Sequence, residues 1–409
     1  MSNQAKGGRP DLRLLFAQPE YRRLWAARTI SQWGDTFNVV ALALLIYNLT
    51  GSGLGVSGVV LAEILPVLLL APLAGSVVDR SGKLHVMVAA DLLRAVLAGL
   101  LAIWHGAPAG VYLIAFGMSV GAAFFNPAAG ALLPTLVRRD DLLAANSGIW
   151  TAAVLSQIAL APLAGLLVVT VGYGPAFAIN ALSYLVSAAI LNRIRVPRTR
   201  TSVGRRRLWR EAREGAALLV HHRLLRSLAI GQLLAALSAG ATSALLVVLA
   251  KDHFEVTGSG YGLMIGSIGV GAALGPLVLI RLVRNPARPL FVFGPFGLRG
   301  LVDFVIASVT VLPVAAAALA VYGIGTSTGA VTFNSMLQAE APEHVRGRVF
   351  AAMDILWQAG RLISLGFGGL LADRYGIRTV YYLGGALLLA AAATGLNVSP
   401  RRGSAHPDF

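Results

Sequence analysis

The chain has 409 residues, of which 56% are hydrophobic and 13% are charged, a composition that excludes a soluble domain because such a fold could not bury that much apolar surface. The net charge of +16 would indicate nucleic acid binding in a soluble protein, but the basic residues lie in short loops between apolar runs, so we interpret them as topology signals and expect no nucleic acid partner. Cysteine is absent and the seven histidines include no helix-spaced zinc pair, which excludes disulfides, thiolate sites and the common zinc motifs.

Twelve apolar segments are long enough to cross a bilayer as helices, because a hydrocarbon core of about 30 Å takes about 20 helical residues. Lysine and arginine are concentrated in alternate loops and in both tails, which predicts that both termini are cytoplasmic. The first 23 residues are polar and basic and lack a signal-peptide cleavage site, so we expect an uncleaved amino terminus. The predicted spans, numbered 1 to 12, are residues 26–47, 56–77, 86–104, 111–133, 145–169, 175–192, 228–250, 261–283, 289–309, 312–333, 350–371 and 377–397.

The second half of the chain repeats the first. Thr50–Gly55, in the loop after predicted helix 1, recurs almost unchanged as Thr257–Gly262 after predicted helix 7. A repeat over six helices is typical of two bundles related by an axis along the membrane normal, with a binding site at the midplane between them. Further matches are Phe125-Asn126 with Phe333-Asn334, Pro134 with Pro342, Trp150 with Trp357, and Gly165–Leu167 with Gly369–Leu371.

The longest connection lies between the two repeats and carries eleven arginines. We interpret it as a basic cytoplasmic linker that anchors the topology, with binding of anionic lipid headgroups as the alternative. The predicted domains are a six-helix bundle in residues 1–192, this linker in residues 193–226 and a second six-helix bundle in residues 227–409.

Several short motifs carry a resemblance to a known family. They are Ser31–Asp35 in predicted helix 1, Gly75–Lys83 after helix 2, Asp91–Arg94 in helix 3, Phe125–Ala128 in helix 4 and Arg346–Phe350 before helix 11. By these motifs the chain resembles the major facilitator superfamily, and within it the branch that contains enterobactin exporters and macrolide efflux proteins. The resemblance implies an all-α polytopic membrane protein with twelve transmembrane helices in two six-helix bundles, the major facilitator fold, and transport by alternating access.

The stretch Gly75–Lys83 matches the superfamily's signature loop between helices 2 and 3, which acts in the family as a conformational latch. The resemblance assigns this gating role to Asp79 and Arg80. The alternative is a turn with an N-capping aspartate before predicted helix 3 and a cytoplasmic topology anchor. The gating residues are Gly75, Asp79, Arg80, Gly82 and Lys83.

A second stretch, Gly369–Arg378, fits the same pattern by its letters. The repeat aligns it with the external turn around Gly172–Gly174, on the opposite side of the membrane from the signature loop. We therefore interpret this second match, including Asp373, as coincidental.

Ionisable residues within the predicted spans are functional candidates, because each costs about 2.5–3.5 kcal/mol or more at the bilayer centre. Asp91 and Arg94 lie on one face of predicted helix 3, so they can neutralise each other. Arg299 and Asp303 repeat this arrangement on helix 9. A structural role and a gating or proton-relay role are equally open for both pairs. The eight candidates are Asp35, Glu63, Asp91, Arg94, Arg299, Asp303, Asp354 and Arg361.

Asp35 has no basic residue three or four positions away, and it lies about 10 Å into the membrane beyond Arg28. A lone intramembrane carboxylate can bind a proton or a cationic substrate and exchange one for the other, as antiport requires. The alternative is a hydrogen bond to the backbone or a hydroxyl of a neighbouring helix.

Glu63 in the outer part of predicted helix 2 and Arg361 near mid-depth of helix 11 are further proton or substrate candidates. Arg361 can instead pair with Asp35 or Asp354 as a structural bridge.

We predict a multi-pass exporter of the bacterial plasma (inner) membrane that moves small, largely hydrophobic molecules, such as drugs, antibiotics or siderophore-like compounds, by alternating access and proton-coupled antiport. Its partners are then the small-molecule substrate, protons and the lipid bilayer, and we expect a monomer. No phosphate-cradling Gly-Lys-Ser/Thr loop occurs, so ATP hydrolysis is not the energy source. We expect no cofactor, no metal and no enzyme activity. The alternatives are a nutrient uptake symporter, a lipid scramblase and a membrane enzyme.

Overall fold

The computed structural model describes residues 12–195, 222–282, 289–341 and 345–397, and in these ranges it contains helices and connecting turns but no strand. Ten helices within them are long and apolar enough to cross a membrane. Two more belong with this set, a helix of 32 residues at the start and a shorter apolar helix at the end. The predicted all-α polytopic fold is therefore confirmed. The twelve helices are α1 (Pro19–Thr50), α2 (Gly53–Ser81), α3 (Lys83–Ile103), α4 (Pro108–Leu136), α5 (Leu142–Thr170), α6 (Tyr173–Leu191), α7 (Arg223–Ala244), α8 (Gly258–Leu282), α9 (Pro289–Ser308), α10 (Leu312–Glu340), α11 (Arg346–Tyr375) and α12 (Ile377–Ala393).

Contacts within the chain define two compact units. The first comprises Met1–Thr50 and Val59–Val203, and the second comprises Gly51–Gly58 and Gly204–Phe409. The first turn of α2 therefore groups with the second unit. The predicted bundles in residues 1–192 and 227–409 stay a prediction, because most of the linker between them, residues 196–221, lies outside the described residues.

In the first unit, α6 packs against both α1 and α3, while α1 also contacts α5 and α3 also contacts α4. Buried apolar side chains from these helices, among them Tyr21, Met87, Leu132 and Leu191, form one continuous core. Close packing of these side chains stabilises the unit within the membrane, and their removal from water stabilises it at the helix ends. The packing places the polar positions of α1, α3 and α6 next to one another.

The second unit repeats this pattern of contacts. Helix α12 packs against α7 and α9, with α11 beside α7 and α10 beside α9. Helices α8 and α10 approach most closely through glycines: a methyl group added to Gly271 would overlap the backbone at Ala320, and one added to Gly323 would overlap the backbone at Ile268. Small residues at such crossings allow close backbone approach in membranes.

Candidate functional site

Asp91 and Arg94 of α3 form an ion pair in the first unit. Both residues are buried, with exposed fractions of 0% and 5%. The guanidinium carbon lies 4.5 Å from the ring centroid of Phe125 and 4.3 Å from that of Tyr184, so two aromatic faces cover the charge. Ser187 of α6 donates a hydrogen bond of 2.7 Å to the other carboxylate oxygen of Asp91. The mutual neutralisation expected for this pair is therefore present.

Asp35 of α1 has its hydrogen-bond partner on another helix. The hydroxyl of Tyr184 in α6 donates to one carboxylate oxygen of Asp35, which is partly buried. Arg94 attracts the same carboxylate electrostatically. From the sequence we expected a partner elsewhere in the fold but could not identify it, because Tyr184 is one of three aromatic residues in an apolar helix and no spacing links it to Asp35.

Glu63 of α2 adds a third carboxyl group nearby. Its side chain is partly buried, and it interacts electrostatically with Asp35. The backbone carbonyl of Glu63 accepts a hydrogen bond from the hydroxyl of Ser119 in α4. Asp35 also interacts electrostatically with Asp91. The fold thus gathers residues from four helices into what we call the first-unit cluster, which comprises Asp35, Glu63, Asp91, Arg94 and Tyr184.

The first-unit cluster contains three carboxyl groups but a single guanidinium. Arg94 forms its ion pair with Asp91, so Asp35 and Glu63 have no cation of their own within the cluster. If all three carboxyl groups were ionised, the cluster would hold two uncompensated negative charges. Transfer of each such charge from water into the protein costs roughly several kcal/mol of desolvation free energy. The arrangement therefore favours binding of a proton or of a cationic group at Asp35 or Glu63.

The corresponding pair in the second unit is arranged differently. Arg299 turns toward α10, where its Nη2 donates a hydrogen bond of 2.8 Å to the hydroxyl of Tyr322 and its guanidinium carbon lies 4.7 Å from the ring centroid. Asp303 is 1% exposed, and its Oδ2 has no hydrogen-bond partner among the described residues. A methyl group on Gly384 of α12 would lie 3.5 Å from that oxygen, so Asp303 faces α12. Arg299 and Asp303 therefore form no ion pair in the described ranges, but the two groups attract each other electrostatically, as their mutual neutralisation requires.

Arg361 of α11 is partly buried, whereas Asp354, one of its predicted partners, is exposed. The ion pairs in the described ranges are Glu20 with Arg23, Asp91 with Arg94, and Asp141 with Arg138, so the alternative of a bridge from Arg361 to Asp354 is not formed. No group of three or more histidine, aspartate or glutamate side chains in the described part of the chain could hold a metal ion.

The signature loop connects α2 to α3 through Gly82, whose φ of 85° is a backbone conformation that only glycine adopts without strain. Lys83 begins α3 and its Nζ donates a hydrogen bond of 2.9 Å to a backbone carbonyl of α4. Gly75 and Arg80 are exposed, and a methyl group on Gly75 would meet no atom of the described residues within 4 Å. The side chain of Asp79 lies outside what the structure describes.

Asp373, near the end of α11, makes contacts that the sequence argument missed. Its carboxylate accepts hydrogen bonds from the hydroxyl of Ser52 at 2.7 Å, from the backbone amide of Gly53 at 2.5 Å and from that of Leu54 at 3.1 Å. It therefore caps the first turn of α2, within the second unit, where free amides attract a negative charge. Gly369 provides the close approach, because a methyl group there would lie 2.7 Å from the Leu54 Cα. The interpretation of this stretch as a coincidental match overlooked the capping role.

Comparison with known proteins gives one family and several efflux proteins. The family model described as "Transmembrane secretion effector" matches residues 15–407. The multidrug efflux pump Tap of Mycobacterium tuberculosis (strain ATCC 25618 / H37Rv) is 30% identical over 377 residues, which cover 89% of this chain and 88% of that protein. Macrolide efflux protein A of Streptococcus pyogenes is 24% identical over 392 residues, which cover 91% of this chain and 94% of that protein.

Solved structures with the same fold include a nucleoside transporter, NupG. Its crystal structure matches 92% of this chain and 98% of its own chain, with a TM-score of 0.75 and 11% sequence identity. At that identity the match establishes the fold alone. The match to NupG agrees with the helical fold described above.

Proposed function

Because the chain belongs to the transmembrane secretion effector family of the major facilitator superfamily, we propose that it exports small, largely hydrophobic molecules, such as drugs, antibiotics or siderophore-like compounds, by alternating access and proton-coupled antiport. It is a multi-pass membrane transporter of small molecules and not an enzyme. The direction and the drug-like substrate class are supported by the relatives named as multidrug and macrolide efflux proteins.

The observation that carries the proposal is the excess of carboxyl groups in the first-unit cluster. Asp35 and Glu63 share a partly buried region with only one guanidinium, and that guanidinium is paired with Asp91. A proton on Asp35 or Glu63 relieves the repulsion, and a cationic or hydrogen-bonding substrate can replace it. Antiport follows if the two ligands bind the same groups in turn.

The cellular setting is part of the same proposal. The protein lies in the bacterial inner membrane, both termini are cytoplasmic, and it works as a monomer surrounded by lipid. The alternation of basic loops supports this orientation. Substrate then enters from the side on which α1, α3 and α5 begin.

Inverted membrane vesicles test the proposal. Vesicles that contain the protein are expected to accumulate a drug such as erythromycin when their lumen is made acidic, and to lose this accumulation when a protonophore collapses the gradient. Vesicles without the protein are the control. Expulsion of solute under the same gradient would indicate an uptake symporter, and gradient-independent movement of labelled phospholipid in liposomes would indicate a scramblase. Either result would contradict the proposal.

Asp79→Ala is expected to slow export several-fold while leaving substrate binding unchanged, because we propose that the signature loop acts as a latch during the transport cycle. Export is measured in the vesicles and binding by equilibrium dialysis with the purified protein. Asp140→Ala, at an exposed position in the short 3-10 helix before α5, is the matched control and should export normally. Loss of binding in Asp79→Ala would contradict the latch role.

Asp373→Ala is expected to loosen the first turn of α2, because a lost helix cap costs about 0.5–2 kcal/mol, or about five-fold in an opening equilibrium at 1 kcal/mol. Position 57 is a suitable probe of this opening, because Ser57 is 0% exposed while the turn is in place. Its hydroxyl lies against α11, since a methyl group on Gly369 would be 2.7 Å from it. Since the chain has no cysteine, Ser57→Cys provides a single thiol.

The measurement is the rate at which a maleimide labels that thiol. Labelling of Ser57→Cys should rise about five-fold when Asp373→Ala is added, in proportion to the opening. Leu54→Cys, at a position that is 48% exposed, is the control and should be labelled equally fast in both backgrounds. An unchanged rate at position 57 would show that Asp373 does not hold this contact.

A further inference from the structure

A cleft of about 330 Å³ opens between α1 and α5 in the first unit. Two hydrogen bonds join the same two helices earlier in their sequences: the Tyr21 hydroxyl donates to the carbonyl of Ala145 at 3.1 Å, and the Trp25 indole donates to the carbonyl of Gly148 at 3.2 Å. Both helices begin near this end of the unit. The residues that line the cleft are Arg28, Thr29, Gln32, Asn146, Ile149, Trp150 and Ala153.

Several hydrogen-bond donors that line the cleft have no partner among the residues that the structure describes. The Arg28 guanidinium is partly buried and makes no ion pair or hydrogen bond with the described residues. The same holds for the side-chain amide of Gln32 and for the indole N–H of Trp150. Asn146 uses its amide nitrogen to bond the carbonyl of Leu142 at 2.9 Å.

None of the described residues that line the cleft is acidic, so they supply no counter-ion for Arg28. A partly buried guanidinium without a partner is costly, and proteins place such groups where a ligand supplies the missing charge. Arginine presents a planar fork of donors that binds a carboxylate or phosphate through two parallel hydrogen bonds. The exposed ring of Trp150, with an exposed fraction of 51%, and the side chain of Ile149 offer an apolar wall beside that fork.

We propose that this cleft binds the anionic group of an amphiphilic substrate, with a carboxylate or phosphate on Arg28 and the adjoining apolar ring against Trp150. This inference rests on the proposed export function and names one class of its substrates, molecules that join an anionic group to an apolar body. The volume is sufficient for a two-ring aromatic acid. Arg28 follows Pro19 by nine residues, about 13 Å of helix. The cleft therefore lies toward the end of α1 that we propose is cytoplasmic, where an exporter binds its substrate.

The test compares two probes that differ only in charge, 1-naphthoate and 1-naphthamide, by equilibrium dialysis with the purified full-length protein. The wild type should bind naphthoate at least about ten-fold more tightly than naphthamide, as expected for a charge-assisted bidentate pair. Arg28→Gln should remove this preference without changing naphthamide binding, and Arg28→Lys should keep part of it. Arg23→Gln, at another partly buried arginine of α1, is the matched control and should bind as the wild type does.

A wild type without preference for naphthoate, or an Arg28→Gln variant that keeps the preference, would overturn the inference. If Arg28→Gln does not fold, Trp150→Ala provides a second test, because it should weaken binding of both probes and leave their ratio unchanged. A changed ratio would place the anion elsewhere. Headgroup phosphate is the competing source of the same chemistry. Displacement of naphthoate by phosphatidylglycerol, but not by phosphatidylcholine, in nanodiscs would assign the cleft to lipid and overturn the substrate assignment.

Export in the inverted vesicles separates this inference from the proposed function. If the vesicles accumulate erythromycin and naphthoate shows no dependence on Arg28, the inference fails while the export function stands. If the vesicles accumulate neither erythromycin nor naphthoate, the export function fails, and the substrate assignment of the cleft fails with it. Accumulation of naphthoate by the wild type and its loss in Arg28→Gln supports both.

Discussion

Asp35→Asn is expected to abolish proton-driven export while leaving membrane expression intact. Asparagine keeps a side-chain oxygen that can accept the hydrogen bond from Tyr184, so the contact between α1 and α6 survives. It cannot gain or lose a proton, and this removes the exchange that antiport requires. Drug accumulation in inverted vesicles under an imposed pH gradient is the measurement.

Two further measurements make the Asp35→Asn result specific. Exchange of labelled for unlabelled drug across the membrane, without a pH gradient, should persist in Asp35→Asn, because Glu63 can still bind the drug and exchange needs no net proton movement. Asp354→Asn, which removes an exposed carboxylate of α11, is the control and should export normally. Normal gradient-driven export by Asp35→Asn would refute the assignment of this residue as a proton site.

Replacing one partner of the Asp91–Arg94 ion pair in α3 is expected to destabilise the protein strongly. Arg94→Gln leaves Asp91 buried beside Ser187 without its cation, and removing one partner of a buried pair costs about 3–5 kcal/mol. The double variant Asp91→Asn with Arg94→Gln removes both charges and should recover much of the lost stability. Thermal unfolding in detergent, followed by size-exclusion chromatography, measures the effect.

The control is a pair with the same spacing on the surface. Arg23 and Glu20 of α1 are also three residues apart, but their side chains are 39% and 26% exposed, and such pairs contribute only about 0–1 kcal/mol. Arg23→Gln should therefore unfold at nearly the wild-type temperature. If the double variant at positions 91 and 94 is no more stable than Arg94→Gln alone, the pair has no mutual neutralising role, and the loss must come from the covering of Arg94 by Phe125 and Tyr184.

Much of the fold could be predicted from the sequence because a membrane restricts the choices. A segment that crosses lipid must form its backbone hydrogen bonds within a helix, because lipid offers no other partners. Hydropathy and length therefore identify the spans. The last predicted span, residues 377–397, is observed as α12, which begins at Ile377. The first helix starts at Pro19, earlier than the predicted residue 26, because hydropathy marks only the part of a helix that lies in the hydrocarbon core, and the helix itself extends beyond that part.

The candidate site could be predicted only in part, and spacing was the limit. Spacing along one helix treated Asp91 with Arg94 and Arg299 with Asp303 alike, but Arg94 forms an ion pair with Asp91 whereas Arg299 donates to Tyr322. In the second case the long arginine side chain reaches Tyr322 on α10 and gains both a hydrogen bond and a ring contact. Sequence distance places two side chains on one face, but the neighbouring helices decide which way each one turns.

The sequence by itself determined that this protein is polytopic, that its halves repeat and which ionisable residues lie within spans, because these properties depend on local composition and on the cost of charge in lipid. Only the tertiary structure decided that Tyr184 bonds Asp35, that Glu63 lies near it, and that Asp373 caps α2. These contacts join residues far apart in the chain. They depend on how closely helices pack and on side-chain direction, and neither is encoded in the spacing of any one helix.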